Sequence, residues 1–240
     1  MLNEILLMDI ETVPQVQHFS SLAPEWQKLF NGKFTKIVPE NSSIEDCYHT
    51  RAGIWAEFGK IICISTAFFY EDNKQLCLRI KSVYGDDEKE LLQNFILLCN
   101  KFYLAHKQFE FGGHNIREFD VPYICRRLLV NGLPLPPYLQ LHDKKPWEVK
   151  MFDTLSWWKF GDVKNYTSLH LLANALNIPS SKTIAEMDGS MVQDVYYIEK
   201  NLPKIVKYCE QDVIVTANII LRFLSKEILK TEQISFAEGK

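Results

Sequence analysis

Apolar and polar positions along this chain change their period several times. Residues 4–10 (EILLMDI) are almost continuously apolar, the pattern of a strand covered on both faces, and Asp9 and Glu11 fall at its end. Lys60 to Tyr70 (KIICISTAFFY) and Gln75 to Tyr84 (QLCLRIKSVY) flank the polar EDNK, which predicts an antiparallel hairpin with a four-residue turn. Asp86 to Ala105 carries acids early and apolar residues at helical spacing, so a helix follows the hairpin. A short strand, Phe109 to Gly113, runs into GHNIREFD, and a helix from Phe119 to Val130 stops at Asn131-Gly132. Beyond the Pro-rich loop Leu133 to Pro146, helices are expected over Thr167–Leu176, Ser190–Lys200 and Pro203–Leu224. Residues 24–58, with Pro24, Pro39 and the polar NSSIED, read as an insertion of short helices and loops. Strands gathered early with helices filling the rest give an α/β class, a mixed sheet with helices on both faces.

Composition narrows the picture. At 240 residues and 47% hydrophobic content the chain is expected to form one domain, residues 1–240, with a sizeable core. The longest apolar runs are far shorter than the ~20 residues a membrane helix needs, and no secretory signal opens the chain. A cytoplasmic protein with no membrane partner is the expectation. The six cysteines are scattered, form no CxxC, and mostly sit in apolar segments as small hydrophobes. A net charge of −3 argues against coating nucleic acid by phosphate neutralisation alone. It does not argue against an enzyme that meets a few nucleotides through bound cations, since two divalent ions add +4 and bring −3 to +1.

Candidate chemistry lies in the acids. Strand alternation points Asp9 and Glu11 to one face, where two carboxylates could share a hard cation. Alone the pair means little, because 30 acids in 240 residues give roughly four acid-x-acid pairs by chance, and Glu118/Asp120, Glu186/Asp188 and Glu210/Asp212 are others. Asp120 is expected near a helix start directly after a strand, with helix capping as the plain alternative. Tyr208 and Asp212 are four apart on the last long helix and share its face.

Taken in order, Asp-x-Glu on the first strand, Asn-x3-Phe-Asp in the middle and Tyr-x3-Asp on a late helix resemble the tyrosine branch of the DEDD exonuclease superfamily. More narrowly, MDIETVP, EFGKIICIS, GHNIREFD, DGSMV and YCEQD look like exonucleases related to the proofreading domain of family-B DNA polymerases. The resemblance runs from about residue 4 to residue 224. It implies an RNase H-like fold and a 3′-to-5′ exonuclease acting on single-stranded DNA or RNA 3′ ends; DNA is the first expectation, although no motif here reads the 2′-hydroxyl. Asp9, Glu11, Asp120 and Asp212 would hold two Mg²⁺ or Mn²⁺ ions. Hard cations take oxygen ligands, and paired ions stabilise both the attacking and the leaving oxygen of an in-line phosphoryl displacement. Tyr208 would orient the attacking water rather than act as a bulk base, since an ordinary tyrosine pKa is about 10. In the histidine branch a histidine would stand at position 207, which is Lys207 here.

The resemblance also implies substrate contacts at the backbone around Thr12, at Asn115 and at Phe119, the last by stacking on a base or wedging two apart. For Phe119 a plain core role is equally open. Trp157 and Trp158 are read as core packing for at least one of the two; Lys144, Lys145, Lys150, Lys159 and Lys164 as solvated lysines before phosphate contacts; His114 and His170 as structural. The sequence ends soon after YCEQD, so a stand-alone nuclease is expected. Its rivals are a catalytically inactive nucleic-acid-binding protein of the same fold, for which an acid would have to be missing, and a hydrolase working with one carboxylate pair, which leaves Asn115, Tyr208 and two acids unexplained. Protein partners are not readable.

Overall fold

The computed structural model describes residues 2–35, 43–106, 108–145, 147–162, 164, 166–180 and 187–237. Pro39, the first residues of NSSIED, Pro146 and Glu186 lie outside them. Six strands form one sheet: β1 (Ile5–Pro14), β2 (Gly59–Asp72), β3 (Gln75–Tyr84), β4 (Glu110–Gly113), β5 (Met151–Asp153) and β6 (Ile234–Phe236). Their order is β5-β4-β1-β2-β3-β6. β1, β2 and β3 pair antiparallel, while β4 joins β1, β5 joins β4 and β6 joins β3 in parallel.

Eight α-helices are described: α1 (Pro24–Phe34), α2 (Ile44–Arg51), α3 (Glu88–Ala105), α4 (Asp120–Val130), α5 (Thr154–Lys159), α6 (Leu169–Ala175), α7 (Val192–Tyr197) and α8 (Leu202–Phe223). They cover both faces of β1, as its unbroken apolar run requires. Leu6, Met8 and Ile10 pack with Leu92 and Phe95 of α3 and with Val121 and Ile124 of α4. Ile5 and Leu7 pack on the other side with Val213, Ala217 and Ile220 of α8. Each such fully buried aliphatic side chain contributes about 1.5–3 kcal/mol.

Three expectations are corrected. β1 does not end near Ile10, so Asp9 and Glu11 are mid-strand: Thr12, Val13 and Pro14 continue the ladder against Ile61, Lys60 and Gly59. The hairpin turn is two residues, Asn73-Lys74, both at positive φ, because Glu71 and Asp72 stay paired with Leu76 and Gln75. Over 190–200 only the short α7 is α-helical, and it follows a 3-10 turn, Gly189–Met191. The three-residue strands β5 and β6 and the single-turn helix α5 were too short to carry a readable period.

The insertion builds a small core of its own, in which Phe30, Tyr48 and Phe58 meet at ring distances of 5.0–5.1 Å. It is tied to the sheet by Tyr123, whose phenol donates to the Gly53 carbonyl at 2.7 Å. Nearby, buried Arg127 grips Glu88 with two nitrogens, Nε at 2.8 Å and Nη2 at 2.6 Å, and donates through Nη1 to the Ala56 carbonyl. Among the described residues no helix is long and apolar enough to cross a membrane.

Candidate active site

One side of β1 reads Ile5, Leu7, Asp9, Glu11, Val13, and α8 runs along it. Val213 and Ala217 lie with Ile5 and Leu7; Ile205 and Tyr208 lie with Val13. Between these two apolar contacts the strand presents its acids, and the helix answers with Tyr208 and Asp212. The amphipathic row is thus interrupted at matching places on strand and helix.

Asp120 joins them from the other side of β1. The β1–β4 ladder is paired only from Ile5 to Leu7, beyond which the Ile10 N–H needs another acceptor. Asp120 Oδ1 accepts it at 3.2 Å, which sets the first residue of α4 beside both Asp9 and Glu11. Asp120 is thus not the cap of α4: Phe119 holds that position, with no side-chain cap bond. A β-bulge between Glu11 and Thr12 leaves Ile62 as the extra residue on β2 and re-aims the strand just past the acids.

The electrostatics are those of crowded, buried like charges. Burial first, then the charges of Asp212 and Asp120, hold the Asp9 carboxyl well above the usual range. Glu11 is raised in the same way by burial, then by Asp9 and Asp212. Asp120 stands at about 7: burial is the largest cause, its own N–H and that of Ile10 oppose it, and the charges of Asp153 and Asp212 add to it. Burial, followed by the charges of Asp212, Glu11 and Asp9, pushes the Tyr208 phenol far above its ordinary value, so it stays a neutral O–H.

Asp9, Glu11, Tyr208, Asp212 and Asp120 line one cleft of about 710 Å³, together with Thr12, Asn115 and Phe119. All eight residues predicted to act in catalysis or to touch substrate are thus brought together. Thr12 sits at the bulge, Asn115 takes a left-handed φ of 60°, and half-buried Phe119 lies 5.4 Å from the Tyr123 ring. No lysine or arginine is among the described residues lining the cleft. The five candidate lysines lie elsewhere; Lys159 sits 3.8 Å from Glu118. Trp157 stacks outside on Phe152 at 4.2 Å, and Trp158 packs against the core. His114 has both ring nitrogens engaged, by Thr154 Oγ1 and by the Thr167 carbonyl, each at 2.9 Å, while His170 bonds Ser180.

Other residues in or directly behind the cleft carry no signal of their own in the sequence. Cys209, a small hydrophobe by sequence pattern, donates its thiol to Asp9 Oδ2 at 3.4 Å, and one ligand atom each of Asp9, Glu11 and Cys209 lie within 4.8 Å of one another. Burial, then its bond with Cys63, raises that thiol well above its usual value and keeps it an S–H. Tyr166, 68% exposed, stands on the cleft wall. His49, Thr50 and Ile54 of the insertion also line the cleft, as does Gln193, which donates to His49 Nδ1 at 2.8 Å. Their only signal was position next to a motif or inside an insertion, neither of which specifies a contact.

Fold and site together define an α/β protein of RNase H-like fold with four acids at one cleft, Glu11, Asp120 and Asp212 buried and Asp9 half-buried. The chain belongs to the family described as predicted 3′-5′ exonuclease related to the exonuclease domain of PolB, whose sequence model matches residues 54–235. The match contains Asn115, Phe119, Asp120, Tyr208 and Asp212; Asp9, Glu11 and Thr12 precede it. Among solved structures the chain is similar to the family B DNA polymerase from the hyperthermophilic archaeon Pyrobaculum calidifontis, with a TM-score of 0.55 at 14% identity over 92% of this chain. It spans 24% of that polymerase. No curated protein matches the sequence.

Proposed function

We propose that the protein is a metal-dependent 3′-to-5′ exonuclease that hydrolyses nucleotides from the 3′ ends of single-stranded DNA or RNA. The observation that carries this reading is the convergence of Asp9 and Glu11 from β1, Asp120 from α4 and Asp212 from α8 on one cleft. In this reading residues 1–240 are one exonuclease domain, with 24–58 as an insertion that walls the substrate cleft.

The residues present fit divalent cations. Their donors are hard carboxylate oxygens, burial and then mutual repulsion raise three of the acids, and the described cleft lining brings no lysine or arginine to offset it. Asp9, Glu11, Asp120 and Asp212 would hold two ions, Mg²⁺ or Mn²⁺, which when bound supply Lewis-acid stabilisation of the attacking and leaving oxygens. The chain's own part is placement. Tyr208, kept neutral by its surroundings, orients the attacking water through its phenol O–H. Asn115 contacts the terminal nucleotide, Phe119 takes the face of a base, and the backbone at Thr12 meets the 3′-hydroxyl. A reaction on a single carboxylate pair gives no role to Asp120, Asp212 or Tyr208.

The test is a nuclease assay on DNA and RNA oligonucleotides comparing the wild type with Asp9→Ala and Asp212→Ala. Loss of activity in both variants, with folding retained, is expected. Full activity in either one overturns the site assignment.

A further inference from the structure

Asp153 ends β5 and is 2% exposed, yet it is not one of the four acids. Its carboxylate accepts four backbone N–H groups: Oδ1 takes Asn115 at 3.1 Å, Leu155 at 2.9 Å and Ser156 at 3.1 Å, and Oδ2 takes Arg117 at 3.1 Å. The bonds to Leu155 and Ser156 are an ordinary N-cap for α5. The other two are not, since they reach 38 and 36 residues back into GHNIREFD. Between their donors stands wholly buried Ile116, and Asn115 is held in the left-handed region that non-glycine residues seldom occupy. The next residue adds a second tie: Thr154 Oγ1 donates to the Gly113 carbonyl at 3.3 Å and lies 2.9 Å from His114 Nδ1. The loop that delivers Asn115, Phe119 and Asp120 to the cleft is therefore clipped to the β5–α5 junction.

We infer that Asp153 is a positioning residue of the site: by holding the Asn115 and Arg117 N–H groups it fixes the loop geometry that brings Asp120 to the metal-binding acids. This rests on the metal-dependent reading above. Hydrogen bonds to an ionised carboxylate are the stronger kind, suited to holding a loop in an unfavourable conformation.

The experiment compares the full chain with its Asp153→Ser and Asp153→Asn variants by calorimetric Mn²⁺ titration, with amide hydrogen exchange on the metal-free proteins. Serine can still cap α5 but is too short to reach the loop. Asparagine drops the charge and can keep the three bonds to Oδ1. Expected for Asp153→Ser are faster exchange at Asn115 and Arg117 and Mn²⁺ binding weakened about 10- to 100-fold, the usual consequence of losing an outer-shell partner. Activity should return towards wild type at saturating Mn²⁺, and Asp153→Asn should fall between the two. Wild-type Mn²⁺ affinity in Asp153→Ser overturns the inference, and an equal loss in both variants assigns the effect to charge and overturns it too. Should Asp153→Ser not fold, Asp153→Asn decides: faster exchange at Arg117 with weakened Mn²⁺ binding supports the inference, and wild-type values of both overturn it. If the wild type binds no Mn²⁺, the metal reading fails by itself; exchange then decides the clamp, which unchanged protection in Asp153→Ser overturns.

Discussion

Replacing Asp120 with asparagine should stabilise the metal-free protein at pH 8 while removing its activity. The Asp120 carboxyl has a usual value of 3.8 and stands at about 7 in the folded chain. Between those values the folded protein keeps a proton that the unfolded chain has released, so stability falls as pH rises through the window and reaches its low plateau above 7. At about 1.36 kcal/mol per pH unit the loss is on the order of 4 kcal/mol at pH 8 and under about 2 kcal/mol at pH 5. Asparagine keeps an oxygen for the Ile10 N–H and carries no charge, so it escapes the loss and relieves Asp9 and Glu11 as well. Thermal unfolding in EDTA should therefore place the Asp120→Asn midpoint higher than wild type by roughly 10 °C at pH 8, and by much less at pH 5. Millimolar Mn²⁺ should narrow or reverse the difference, because only an intact site gains binding energy on folding. A variant no more stable than wild type at pH 8, or equally stabilised at both pH values, refutes the reasoning.

Other outcomes follow from the same geometry. Tyr208→Phe should lower kcat roughly 10- to 100-fold with little change in KM, the cost of one hydrogen bond in a buried site, as read by steady-state kinetics on an oligonucleotide. Phe119→Ala should raise KM more than it lowers kcat, by the ~1–3 kcal/mol of one base-stacking contact; an unchanged KM returns Phe119 to the core. Arg127→Ala, which strands buried Glu88, should cost about 3–5 kcal/mol in urea unfolding. Gly113→Ala should also destabilise, since its Cβ would fall 2.9 Å from that of Ile116 and 3.0 Å from the Met8 carbonyl oxygen.

Much of this site could be read from residue order because its chemistry is written in side-chain type. Carboxylates on alternate strand positions and on one helix face keep their meaning wherever the strand happens to end, which is why misplacing the end of β1 did not displace Asp9 or Glu11. What was not legible depended on backbone that leaves no period. β5 is three residues long, so MFDTL gave no reason to separate Asp153 from the other acids, although it organises the loop that carries Asp120. Cys209 has the composition of a core residue, and only its direction, towards Asp9 on the neighbouring strand, reveals a polar contact. EDNK looked like a turn because it is polar, whereas Glu71 and Asp72 are polar only because they lie at the exposed end of the ladder. The insertion was legible as short helices but not as a wall, since His49 and Ile54 meet the cleft only through long-range packing.

The most direct measurement follows a 5′-labelled single-stranded oligonucleotide with time, in Mg²⁺, in Mn²⁺ and in EDTA. A descending ladder of products shortened one nucleotide at a time from the 3′ end, present with either metal and abolished by EDTA, is expected. An intact oligonucleotide under every metal condition, or shortening that persists in EDTA, contradicts a metal-dependent 3′-to-5′ exonuclease.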